Sequence, residues 1–193
     1  MVLVWSWIKE IILVRLTEKL SEEHKDILKV IGAVGRECEA LEAGGAIDED
    51  FFAKAIDFIR NYADEYHHAK EEDILFEELS RPDVQMHCDP TQQMLREHEM
   101  GRDFVRGLEA AVEAGDQSET LKNALGYGGL LQQHIYKEDN ILYPMAEAAL
   151  SVERSREIAA RFAEVDAKFA AANEKYLAIV AEFAERKVPS ASA

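Results

Sequence analysis

One phrase occurs twice in this chain, and it constrains the fold more than any other feature. The run His67-His68-Ala69-Lys70-Glu71-Glu72-Asp73-Ile74-Leu75-Phe76 returns as His134-Ile135-Tyr136-Lys137-Glu138-Asp139-Asn140-Ile141-Leu142-Tyr143, 67 positions further on. On an α-helix, His and Glu four residues apart project from one face. A shorter pair repeats with it, since Glu23-His24 has its counterpart in Glu97-His98. Each half of the chain therefore offers one helix with a single histidine and one with His-x-x-x-Glu. Two halves related by a pseudo-twofold axis would aim His24, His67, His98 and His134, with Glu71 and Glu138, at one centre.

The periodicity around these residues is helical. Leu20, His24, Ile27, Ile31, Val34 and Cys38 recur by threes and fours along a helix from about Thr17 to Leu41, which Gly44 and Gly45 end. A second helix, about Asp48 to Leu79, aligns Ile56, Ile59, Ala63, His67, Glu71 and Ile74. The third, about Thr91 to Ala114, aligns Met94, His98, Gly101, Val105, Leu108 and Val112 and stops at Gly115. The fourth, about Ser118 to Leu150, aligns Tyr127, Leu130, His134, Glu138, Ile141 and Met145, with Pro144 expected to bend it. No strand pattern competes. The expected architecture is all-α, an up-and-down four-helix bundle over residues 16–150 with an extra helix at each end.

The flanking segments are less determined. Residues 1–15 are apolar but interrupted by Lys9 and Glu10, and too short for a membrane span. They are expected to pack as an accessory helix on the domain or a partner chain, with an interfacial membrane helix as the alternative. Over residues 151–187, Ile158, Phe162, Val165, Phe169, Tyr176, Val180 and Phe183 describe a long helix that either covers the bundle or forms a homodimer seam. Residues 188–193 are expected to fray. A formal charge of −16 argues against nucleic acid and against anionic membrane surfaces. Two cysteines without Cys-x-x-Cys spacing give no disulfide framework, which fits a reducing cytoplasm.

Polar residues on core stripes carry the functional argument. Burying a carboxylate without a partner costs several kcal/mol, yet Glu71 and Glu138 share the apolar stripes of their helices with the histidines. Two cations would neutralise them, and a carboxylate can bridge two ions about 3.5 Å apart. One such histidine alone is more often a hydrogen-bonded core residue, but four of them at matched register form a dinuclear ligand set.

His24, His67-x-x-x-Glu71, His98 and His134-x-x-x-Glu138 resemble the hemerythrin-like, or HHE cation-binding, family over about Leu16 to Leu150. The Glu-His pairs and the Lys-Glu-acid-x-Ile-Leu-aromatic tails add to the likeness. The resemblance implies a bundle holding a non-haem, carboxylate-bridged centre of two iron ions, oxo- or hydroxo-bridged when oxidised. Such a centre handles dioxygen or peroxide, or senses iron or oxidants. Iron comes from the resemblance alone, because zinc and manganese suit the same ligands.

The chain departs from the hemerythrins proper at Arg102, where they carry a second third-helix histidine, so one terminal ligand is missing. Those proteins also place the last carboxylate five residues after the final histidine, here Asp139, whereas other members use the four-residue spacing that gives Glu138. About 400° of helical rotation returns Glu138 near the His134 direction, which favours it. His68, about 100° from His67, either replaces the lost ligand or hydrogen-bonds outside the metals. Arg102 is expected to salt-bridge a nearby acid and screen the pocket, and Tyr127, two turns before His134 on the same stripe, reads as a core tyrosine with a hydrogen-bonded hydroxyl, with an approach to the cluster as the alternative. Glu23 and Glu97 either orient neighbouring groups or are solvated. His87, Cys88 and Cys38 read as structural.

The leading expectation is a metal-binding protein for dioxygen or a related oxidant. The alternatives are a di-iron enzyme that decomposes peroxide or oxidises ferrous iron, and an interaction or iron-sensing module stabilised by metal.

Overall fold

The computed structural model describes residues 2–186, which fold into five helices and no strand. Helix α1 is Val2–Glu42. Helix α2 covers residues 49–79, built from the stretches Glu49–Phe58, Ile59–His68, Glu71–Phe76 and Glu77–Leu79. Helix α3 is Thr91–Glu113. Helix α4 covers residues 117–149, from Gln117–Lys137 through Glu138–Leu142 to Tyr143–Ala149. Helix α5 is Val152–Glu185. Residues 2–15 continue α1 without a break, so the expected accessory helix is the first part of the first bundle helix. Among the described residues no helix is long and apolar enough to cross a membrane. The expected end of the last helix at Lys187 and the fraying of residues 188–193 lie outside the described residues.

Local chemistry sets the ends. The Asp48 carboxylate accepts from the Phe51 N–H at 3.0 Å and the Asp116 carboxylate from the Glu119 N–H at 3.0 Å, the N-cap arrangement that satisfies donors the helix leaves open. Ser151 caps α5 through the Arg154 N–H. Gly44 and Gly115 stop α1 and α3 with φ of 94° and 66°, a left-handed conformation that glycine adopts without steric cost.

Helices α1 to α4 form the bundle, and α5 packs along α1 and α2. Phe183 stacks on Phe51 at 4.5 Å between ring centroids and Phe169 on Tyr66 at 4.2 Å. The apolar stripe of α5 is therefore spent within the chain, so α5 covers the bundle.

The core is in two parts. One contains Ile27, Val34, Phe58, Tyr62, Val105 and Leu131, the other Leu20, Leu75, Phe76, Met94, Leu142 and Phe162. Along each of α1 to α4 the change from one part to the other falls at the histidines, so a polar layer divides the bundle across its width.

Hydrogen bonding widens from the α pattern to i→i+5 over Ile59–His68, Glu71–Phe76 and Glu138–Leu142. In α4 the widened turns run up to Pro144, which has no N–H to continue the α pattern. Both copies of the repeated motif thus carry wide turns at their glutamates.

Candidate metal centre

The centre is built from one to three side chains per helix. His24 comes from α1, His67, His68 and Glu71 from α2, His98 from α3, and His134 and Glu138 from α4. All seven are buried, and both glutamates are fully enclosed. Ligand-capable atoms of His24, His67, Glu71 and Glu138 lie within 4.8 Å of one another, as do those of His68, Glu71, His98 and His134. The two groups share Glu71.

The carboxylates sit between the imidazoles. Glu71 Oε2 lies 3.5 Å from His67 Nε2 and 3.6 Å from His98 Nε2. Glu138 Oε2 lies 3.4 Å from His24 Nε2 and 3.2 Å from His134 Nε2, and Oε1 lies 3.8 Å from His98 Nε2. His98 Nε2 and His134 Nε2 face each other at 2.9 Å. Each glutamate thus touches both sides of the centre. Glu71 Oε2 and both Glu138 oxygens are enclosed without a hydrogen-bond partner, a costly state for buried carboxylates. Nitrogen and oxygen donors converging on unpaired, buried carboxylate oxygens fit a pair of divalent cations.

Around this ring lies a second one of carboxylates, each placed against the outward Nδ1 of a histidine. Asp139 Oδ1 is 3.0 Å from His24, Glu23 Oε2 2.9 Å from His67, and Asp64 Oδ1 3.0 Å from His68. Glu72 Oε1 is 2.6 Å from His98 and Glu97 Oε2 2.9 Å from His134. A carboxylate on one ring nitrogen fixes the tautomer that turns the other toward a metal. Lys70 then bonds Glu23, and Lys137 bonds Glu97. The repeat accordingly runs three layers deep: His67 and His134, Glu23 and Glu97, Lys70 and Lys137.

The halves are not identical. The equivalent of His68 in the second copy is Ile135, so one side gathers His68, His98 and His134 and the other His24 and His67. Tyr143, equivalent to Phe76, donates to Glu71 Oε1 at 2.5 Å and stacks on His24, while Phe76 stacks on His98 without a hydroxyl to offer. Arg102 does not reach the centre. It pairs with Asp64, Glu72 and Glu99, and so fastens the carboxylates that hold His68 and His98.

Charge in the metal-free centre follows from burial and these partners. Burial holds His67 well below the ordinary imidazole value and His68 down to about 3, with the neighbouring His24 and His98 adding to the effect. Burial acts the same way on His24 and His134, but Asp139 and Glu138 lift the first to about 9 and Glu138 and Glu97 the second to about 10. Burial and the charge of Glu138 raise the Glu71 carboxyl, whereas the facing histidines outweigh burial and depress Glu138. Without cations, protons on the histidines balance the glutamates.

Every residue singled out from the sequence for the metals is brought to the centre. Asp139, the alternative to Glu138, lies behind His24, where it also accepts from Ser21 at 2.6 Å. Cys88 is exposed, and among the described residues no ligand group includes it or His87. Sequence reasoning missed Asp64, Glu72 and Tyr143 as working parts, although Glu72 and Asp139 recur at matched positions of the motif.

Comparison with curated proteins and with solved structures returned no match. A family model does match, the hemerythrin HHE cation-binding domain, over residues 15–146. That span takes in all seven residues of the centre, and the chain belongs to the hemerythrin HHE cation-binding domain family.

Proposed function

We propose that this domain holds two iron ions and binds or senses dioxygen or a related oxidant. The observation that carries the reading is the set of three unpaired, enclosed oxygens on Glu71 and Glu138, faced from both sides by imidazole Nε2 atoms. His68, His98 and His134 would hold one ion, His24 and His67 the other, and the two glutamates would serve both. Two iron ions supply electrons and coordination positions that the protein leaves free for a small oxidant.

The chain's own residues do the rest. Glu23, Glu72, Glu97, Asp64 and Asp139 keep the imidazoles turned inward. Tyr143 donates its proton to Glu71 Oε1 and leaves Oε2 free. The side with fewer histidines carries this hydroxyl, whose oxygen lies 3.4 Å from His24 Nε2 while its proton stays on the bond to Glu71. The apolar layers above and below exclude water, which strengthens each of these interactions.

Mixing the anaerobic ferrous protein with dissolved dioxygen tests the reading. A near-ultraviolet and visible absorption change within seconds, lost when His134 is replaced by Ala, is expected; a ferrous protein with two irons whose spectrum is indifferent to air contradicts it. Steady turnover of peroxide or of added ferrous iron would move the assignment to an enzyme acting at the same centre.

A further inference from the structure

A cavity of about 150 Å³ opens between α2, α3 and α4 and ends on His68, His98 and His134. It does not adjoin His24 or His67, so it lies on the side already filled by three histidines. Its wall is largely apolar, from Ile59, Val105, Tyr127, Leu130 and Leu131. An apolar cavity of roughly this volume accepts a molecule the size of benzene.

The polar groups around it narrow the choice of ligand. Arg60 makes a two-pronged ion pair with Glu109 at 2.5 and 2.6 Å, Arg102 is committed to Asp64, Glu72 and Glu99, and Arg106 pairs with Asp103. Each arginine lining the cavity already has a carboxylate partner that offsets its charge, and Asp64 and Glu97 also line the space, which disfavours an anion. The three histidines spend Nδ1 on carboxylates. Tyr127 is different: the residue is only 4% exposed, yet its hydroxyl has no hydrogen-bond partner among the described residues. That oxygen is absent from the enclosed unpaired atoms, so it meets open space, and the cavity is the space Tyr127 lines. Burial raises the phenol, which keeps it a donor. The Tyr127 ring packs over Gly101, where a Cβ would stand in ordinary contact at 3.4 Å from Cε2.

We propose that this cavity binds a small uncharged organic molecule, up to about benzene in size, whose one polar atom accepts a hydrogen bond from Tyr127. The site stands on the cavity itself and does not depend on which metal fills the centre. A ligand seated there would rest against His98 and His134 without displacing them.

Calorimetric titration of the metal-loaded protein with phenol, benzene and benzoate tests it, with metal content measured on every sample. Phenol should bind at one per chain, benzene about tenfold more weakly, and benzoate not at all. Tyr127→Phe should bring phenol to the level of benzene and leave benzene unchanged. Leu130→Trp, at a half-buried position on the rim, should abolish both. Metal content should stay the same throughout, which separates a failure of the cavity from a failure of the metal centre. The proposal is overturned if neither neutral probe binds the wild-type protein, if Tyr127→Phe leaves phenol binding intact, or if benzoate binds more tightly than phenol.

Discussion

Each of the five histidines divides its ring nitrogens between two tasks, Nδ1 bonded to a carboxylate and Nε2 turned inward. That division makes the outer carboxylates testable. Glu97→Gln keeps the shape beside His134 but removes the charge, and metal affinity should fall about 10- to 100-fold in competition with a chelator. Glu99→Gln, which touches only Arg102 at the surface, should leave it unchanged. The raised histidines give a pH signature. His24 and His134 bind protons more tightly in the folded, metal-free protein than in the unfolded chain, where their value is 6.5. Their contribution to stability is complete below 6.5 and is lost as pH rises toward 9 and 10. His67 and His68 are neutral in both states above 6.5 and do not offset it. The melting temperature of metal-free protein should therefore fall between pH 6.5 and 10, while bound cations, which replace those protons, should remove the slope. A metal-free protein with a flat profile would show that protons do not balance the glutamates.

At the scale of the helices, periodicity read well where the turn is α and less well where it is not. The caps at Asp48 and Ser151 and the stops at Gly44 and Gly115 follow from residue chemistry alone. His68 did not, because a uniform 100° step sets it at the edge of the buried face. The wide turns of Ile59–His68 change that step and bring both neighbouring histidines inward. Arg102 was legible as an ion-pairing residue, but beyond Glu99 on its own helix its partners Asp64 and Glu72 come from α2, and only the packing reveals them. The last helix had two readings because an apolar stripe does not name what covers it. Phe183→Ala should settle how much α5 contributes. The ring is fully buried against Phe51, and its removal should cost about 3–5 kcal/mol in urea unfolding without changing metal content, since it lies far from the centre in sequence and in the bundle.

For the molecule as a whole, the repeated phrase is the design. Two half-bundles, each with Glu-His and His-x-x-Lys-Glu-acid, close on one another so that the final acid of each motif, Glu72 or Asp139, bonds the other half's single histidine, while Lys70 with Glu23 and Lys137 with Glu97 support His67 and His134 within their own halves. The motif was visible because His, Lys and Glu recur at the same spacing within each copy and Glu-His recurs as a pair; the differences between halves, His68 against Ile135 and Tyr143 against Phe76, were visible as letters but not as roles. The central claim is that Glu71 and Glu138 serve two cations together. Iron per chain, measured after anaerobic reconstitution with ferrous iron and removal of excess, tests it most directly. The account predicts two irons per chain, and a ratio at or below one would contradict it.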